Sequence, residues 1–75
     1  MTAEPAPHSV SVSVNGEVRS LAAGTALDAL VAALTAARSG VAAAVNETVV
    51  PRGRWSATVL ADGDRVEVLT AVQGG

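Results

Sequence analysis

The sequence predicts an α+β domain in which one helix lies across one face of a mixed sheet of four to five strands. Three observations lead there: strict apolar alternation from Ser9, an apolar stripe at helical spacing between Leu27 and Leu34, and a second alternating run near the end, Asp64 to Val72. With 75 residues the chain builds one domain, near the lower size at which a single hydrophobic core suffices.

The first strand starts at Ser9, with Val10, Val12 and Val14 on one face and Ser9, Ser11 and Ser13 on the other. Asn15-Gly16 supplies two residues that tolerate positive φ, as a type I′ turn requires, and a second strand follows at Glu17 to Leu21. Gly24 breaks that pattern. Thr25 is placed to accept a hydrogen bond from the Asp28 amide, and the Asp28 carboxylate favours a helix N-terminus. Leu27, Leu30, Val31 and Leu34 then form one stripe, and Ser39-Gly40 is the expected stop, with Gly40 able to take a left-handed cap. Val41 to Val45 is apolar throughout and reads as a covered strand. Asn46-Glu47 reads as a turn into a short strand, Thr48 to Val50, that Pro51 ends because it cannot donate to a ladder. Arg52 to Leu60 is expected to be a connecting segment. Asp62-Gly63 is a turn, and in the last strand Val66, Val68, Thr70 and Val72 face one way.

Hairpin, helix, short strands and final strand make the β-grasp order. In that architecture the first and last strands are central, parallel neighbours, and the chain leaves the sheet from its middle. The expected organisation is a flexible leader at 1–8, which carries two prolines, the β-grasp domain at 9–72, and a flexible tail at 73–75.

The composition, 49% hydrophobic and 16% charged, suits a packed core, and Trp55 is the only aromatic residue, so that core is aliphatic. A net charge of −2 argues against a nucleic-acid or anionic-membrane surface, since both need clustered positive charge. Without Cys there is no disulfide, thiolate metal site or cysteine nucleophile. No run approaches the ~18 apolar residues of a bilayer span, and a cytoplasmic location is expected.

The parts of an active site are missing: one His, and no Cys, Tyr or Lys. His8 adjoins the loose leader and is a weak candidate for a metal or general-base role. Asp62, Asp64 and Glu67 are close in sequence, but Asp-Gly-Asp is better explained by turn chemistry than by a cation loop. Trp55 is expected as a lid over the end of the core, with a docking role beside Arg52 and Arg54 as the alternative. On the outward face of the last strand Leu69 and Ala71 are apolar where water is expected, which suggests a docking patch near the tail. The tail Gln73-Gly74-Gly75 follows directly. Two residues without Cβ atoms can thread a narrow channel, and three extended residues reach about 10 Å.

Val45-Asn46, Pro51-Arg52, Trp55, Leu60, Gly63-Asp64-Arg65-Val66-Glu67-Val68 and Ala71-Val72-Gln73-Gly74-Gly75 together resemble the ThiS family of sulfur carriers in thiamine biosynthesis. The resemblance runs from Val10 to the last residue. It implies a ubiquitin-like β-grasp carrier without catalysis or bound cofactor of its own. A ThiF-type adenylating enzyme would activate the Gly75 carboxylate with ATP, and sulfur drawn from a cysteine persulfide on a donor protein would give a thiocarboxylate. Thiazole synthase would consume that sulfur. Gly75 then carries the reacting carboxyl, Gly74 and Gln73 give access, and Leu69, Ala71, Arg52 and Trp55 are the candidates for partner docking. Three rivals stay open: a carrier serving molybdopterin, cysteine or natural-product synthesis; a ubiquitin-like modifier; and an interaction domain whose terminal glycines have no chemical role.

Overall fold

A computed structural model of the chain describes residues 8–37 and 39–71. Its elements follow the order β1 (Ser9–Val14), β2 (Glu17–Ala22), α1 (Leu27–Leu34), β3 (Val41–Val45), β4 (Thr48–Val50), a 3-10 helix (Arg52–Ala57) and β5 (Arg65–Thr70). They build one five-stranded sheet with the strand order β2-β1-β5-β3-β4. β1 and β5 run parallel, and the other neighbours are antiparallel.

Both hairpins follow from their turn residues. Asn15 and Gly16 adopt φ of 50° and 89°, and Asn46 and Glu47 adopt 51° and 72°, so both central positions of each turn are left-handed, as the twist of a tight hairpin requires. Asn46 is the better suited of its pair. Its side chain accepts from the Arg65 amide at 3.0 Å and donates to Asp64 at 3.0 Å, which ties this turn to the start of β5.

Asn15 does more than turn the chain. β1 ends at Val14 while β5 runs on, and the Asn15 side-chain amide replaces the missing strand: it accepts from the Val68 N–H at 2.9 Å and donates to the Val68 carbonyl at 3.1 Å. One side chain thereby satisfies both backbone polar groups of a residue in the central strand.

The helix departs from expectation at both ends. Ala26, not Thr25, precedes its first turn, and no side-chain cap is made. The Thr25 hydroxyl donates to the Ala22 carbonyl at 2.6 Å instead. The N-terminal amide of Leu27 is satisfied by the Thr58 carbonyl at 2.8 Å, beside a bridge between Ala26 and Val59, so tertiary pairing replaces the local cap. Asp28 does occupy the first turn, where its charge suits the dipole. At the other end α1 stops at Leu34, well before Ser39-Gly40. Thr35 is extended, and its hydroxyl accepts from the Ala37 amide at 3.0 Å, a local bond that diverts the backbone once the apolar stripe has ended. Gly40 is left-handed as expected, with φ 72°, but it leads into β3 rather than capping the helix.

The core lies between α1 and one sheet face. It consists of Val12, Val14, Leu27, Leu30, Val31, Ala43, Trp55, Leu60, Val66 and Val68, bordered by half-buried residues that include Val10, Leu21, Leu34 and Val41. Trp55 enters it from the 3-10 helix, where the sequence suggests only a connecting segment. It is only 4% exposed, and its indole N–H donates to the Val50 carbonyl at 2.8 Å. Thr70 is exposed although it shares the parity of Val66 and Val68, because β5 has by then passed the end of the core. Among the described residues no helix is long and apolar enough to cross a membrane. The central parallel pair, the flanking hairpins and the single covering helix are the β-grasp arrangement.

Candidate functional site

The candidate site has three parts: the strand that carries the tail, the loop that holds the base of the tail, and the sheet face beside it. Gly75, Gly74 and Gln73 lie outside the described residues, which end at Ala71. Ala71 follows β5, the middle strand of the sheet.

The base of the tail is held from one side. Along β5, pairing on the β1 side reaches Val68 through Asn15. On the β3 side it continues through Ala42 opposite Leu69 and Val41 opposite Thr70, and then through the Ala71 N–H, which donates to the Gly40 carbonyl at 2.6 Å.

The outer sheet face is the surface next to this exit. Alternation turns Val66 and Val68 inward and leaves Leu69 outward at 70% exposure. Register puts Ala42 beside Leu69 and Ala44 between Glu67 and Val49, and Val49 is 72% exposed. Leu69, Ala42, Ala44 and Val49 therefore form an apolar strip running from the tail exit to the β4 edge. Isolated exposed apolar residues are ordinary, but a contiguous strip across three strands has the composition of a docking surface. The sequence alone does not single out Ala42, Ala44 and Val49. A uniformly apolar β3 does not say which of its alanines face out, and a three-residue β4 is too short to show a period. Glu67 and the Arg65–Glu47 pair, 2.8 Å apart, add charge along the strip; both partners of the pair are well exposed, so it is worth little to stability.

The structure does not unite the four docking candidates. Leu69 and Ala71 are exposed beside the tail exit. Trp55 is a core residue, so its side chain is not available as an exposed docking group; the 3-10 helix turns it inward and its indole N–H is already paired. Arg52 is exposed, with its guanidinium 5.2 Å from the centre of the Trp55 ring, a cation–π contact on the helix side of the sheet. There it borders a shallow groove with Asp28, Val31, Thr35 and Ser56. Arg52 and Leu69 thus belong to opposite sides of the molecule.

The other candidates resolve as structural groups. Asp62 accepts from the Ser11 amide at 2.7 Å, and Asp64 accepts from the Ala61 amide at 2.8 Å and from Asn46, so the carboxylates of the Asp-Gly-Asp segment close its turn and tie it to β1 and to the β3–β4 turn. His8 is exposed, and its carbonyl accepts from the Ala23 amide, which makes it the first link of the β1–β2 pairing. No group of three or more metal-ligating side chains occurs among the described residues.

Comparison with known proteins bears on this geometry. The model of the ThiS family matches residues 12–75. The sulfur carrier protein ThiS of Escherichia coli is 31% identical over 61 residues, which cover 81% of this chain and 92% of that protein. A thiazole synthase of Magnetococcus marinus is 38% identical over 66 residues; these are 88% of this chain, which spans only 20% of that protein's length. The crystal structure of thiamine biosynthesis protein ThiS from Geobacter metallireducens superposes with a TM-score of 0.71 at 32% identity, covering 88% of this chain and all of that one. With a family match over most of its length and a shared fold at this identity, the chain belongs to the ThiS family.

Proposed function

We propose that the chain is a sulfur carrier of thiamine biosynthesis and not a catalyst, with the Gly75 carboxylate as its reacting group. The observation that carries this reading is the family match, which extends through residue 75. The fold supports it, since β5, the middle strand, ends beside an apolar strip.

An α-carboxyl has a pKa of about 3.5, so at neutral pH it is an anion able to attack the α-phosphate of ATP. Pyrophosphate leaves and an acyl-adenylate forms. A persulfide sulfur then adds to the activated carbonyl and AMP departs; reductive cleavage of the resulting acyl disulfide by a thiol leaves the thiocarboxylate. Every catalytic group for these steps belongs to the partners: a ThiF-type adenylating enzyme, a persulfide-bearing donor, and thiazole synthase as the acceptor. The need for ATP and a reduced thiol pool assigns the work to the cytoplasm. That a fifth of the Magnetococcus thiazole synthase resembles this chain supports the last partnership, because segments joined in one polypeptide in one organism commonly act together as separate chains in another. Leu69 and Ala71, with Ala42 and Val49 beside them, are the surface on which the enzymes dock.

The test is the intact mass of the chain after incubation with ATP, a ThiF-type enzyme and a persulfide donor. The expected result is exchange of one oxygen for sulfur at the C-terminus, abolished by deletion of Gly75 with the circular dichroism unchanged. No exchange with a competent enzyme, or exchange that survives the deletion, overturns the reading.

A further inference from the structure

We infer that Asn15 is a latent site of spontaneous deamidation, kept chemically silent by the same two hydrogen bonds that join it to β5. This chemistry is independent of the sulfur-carrier reading, and its only co-reactant is water.

Succinimide formation needs a following amide nitrogen that can reach the carboxamide, and a carboxamide free to fold back on its own chain. Asn15-Gly16 supplies the first. Gly16 has no Cβ to crowd the attack, and both residues of the turn are exposed, so water reaches them. The second is withheld. The Asn15 carboxamide accepts from the Val68 N–H at 2.9 Å and donates to the Val68 carbonyl at 3.1 Å. A carboxamide that faces β5 through both of its polar atoms is not available to Gly16, so ring closure waits until Asn15 leaves Val68. Leaving breaks both bonds together and orphans both backbone groups of a central-strand residue, which makes the opening rare.

Once the carboxamide is released, the Gly16 amide nitrogen gives up its proton and bonds to the Asn15 Cγ. The bond from Cγ to Nδ2 breaks, and ammonia leaves. Water then opens the succinimide at either carbonyl, giving an aspartate or a backbone-lengthened isoaspartate at this position. Neither product restores the tether. An aspartate carboxylate can accept from the Val68 N–H but has no proton for the Val68 carbonyl, and an isoaspartate lengthens a turn whose two left-handed residues match the twist of the strands. Deamidation therefore falls on chains that open at β5, and leaves them less able to close again.

Asn46 is the internal comparison. It is also left-handed, with φ 51°, and its side chain is also held, by the Arg65 amide and by Asp64. The residue after it is Glu47, whose side chain crowds the attacking nitrogen. The two turns share a tether and differ in the nucleophile.

The experiment incubates the full chain at neutral pH without urea, in urea below the unfolding midpoint, and in fully denaturing urea. Peptide mapping reads aspartate and isoaspartate at positions 15 and 46, and hydrogen exchange of the Val68 amide is followed wherever the chain is folded. Asn15 is expected to deamidate at least about a hundredfold more slowly in the native chain than in the unfolded one, because opening of a central strand approaches global unfolding in cost. Its rate should rise with sub-denaturing urea in step with Val68 exchange, and in denaturing urea it should outpace Asn46. Gly16→Ala, compared in denaturing urea where no fold is at stake, should bring Asn15 down to the rate of Asn46. Equal Asn15 rates in native and unfolded chains, or a native rate that does not follow Val68 exchange, overturn the lock. An unfolded chain in which Asn15 is no faster than Asn46 overturns the site itself.

Discussion

The two faces of the sheet are built from the same strands and meet opposite surroundings. On the inner face Val12, Val14, Val66 and Val68 are buried under α1. On the outer face Leu69 and Val49 stand in solvent, although they are as apolar as anything inside. β5 serves both faces residue by residue: Val68 packs into the core, and Leu69, next in the chain, stands in the strip proposed for docking. The difference teaches that apolar character alone does not mark the core of this protein; position relative to the single helix does.

The largest effect that would sharpen this contrast is expected inside. Leu27 is fully buried, and Leu27→Ala should cost about 2–5 kcal/mol, enough to leave much of a domain this small unfolded at 37 °C by thermal denaturation. A loss within ~0.5 kcal/mol, the range of a surface change, would mean that the helix is not what closes the core.

A smaller effect is expected at Asn15, where the inner and outer descriptions both fall short because the residue acts in the plane of the sheet. Asn15→Gly keeps the left-handed turn but orphans the Val68 N–H and carbonyl, and should cost about 1–3 kcal/mol in denaturant unfolding. Asn15→Asp retains one acceptor and should fall between the two.

The smallest effect on stability is expected outside. Leu69→Ser should change the unfolding free energy by no more than about 0.5 kcal/mol, yet raise the KM for the carrier in adenylation at least about tenfold if Leu69 anchors docking. Leu69→Ser with wild-type KM would break the comparison at its functional side.

Much of this was legible because it is local. Alternation from Ser9, the left-handed pair Asn15-Gly16, the turn at Asn46-Glu47, the stripe Leu27 to Leu34 and the turn at Asp62-Gly63 each state a backbone requirement within a few residues, and the structure contains all of them. What could not be read is what depends on distant partners. Thr25 has the chemistry of a cap, but the Thr58 carbonyl reaches the helix N-terminus first. Trp55 lies over the core as expected, but its six-residue segment has no period that would reveal the 3-10 turn carrying it. Of the four docking candidates, Leu69 and Ala71 stand where alternation predicted, whereas Trp55 is buried and Arg52 lies on the far side.

The sequence by itself determined the order of the strands and the helix, the Asn15-Gly16 hairpin, the turn at Asn46-Glu47 and a core that is aliphatic apart from Trp55. Only the tertiary structure decided which alanines of β3 border the outer apolar strip, that Asn15 substitutes for a missing strand, and that the Gly40 carbonyl pairs with the Ala71 amide. The physical reason is the same in each case. Turn and strand preferences are properties of neighbouring residues, whereas the register of β3 against β5 is set only when the core closes and selects which face of each strand meets the helix.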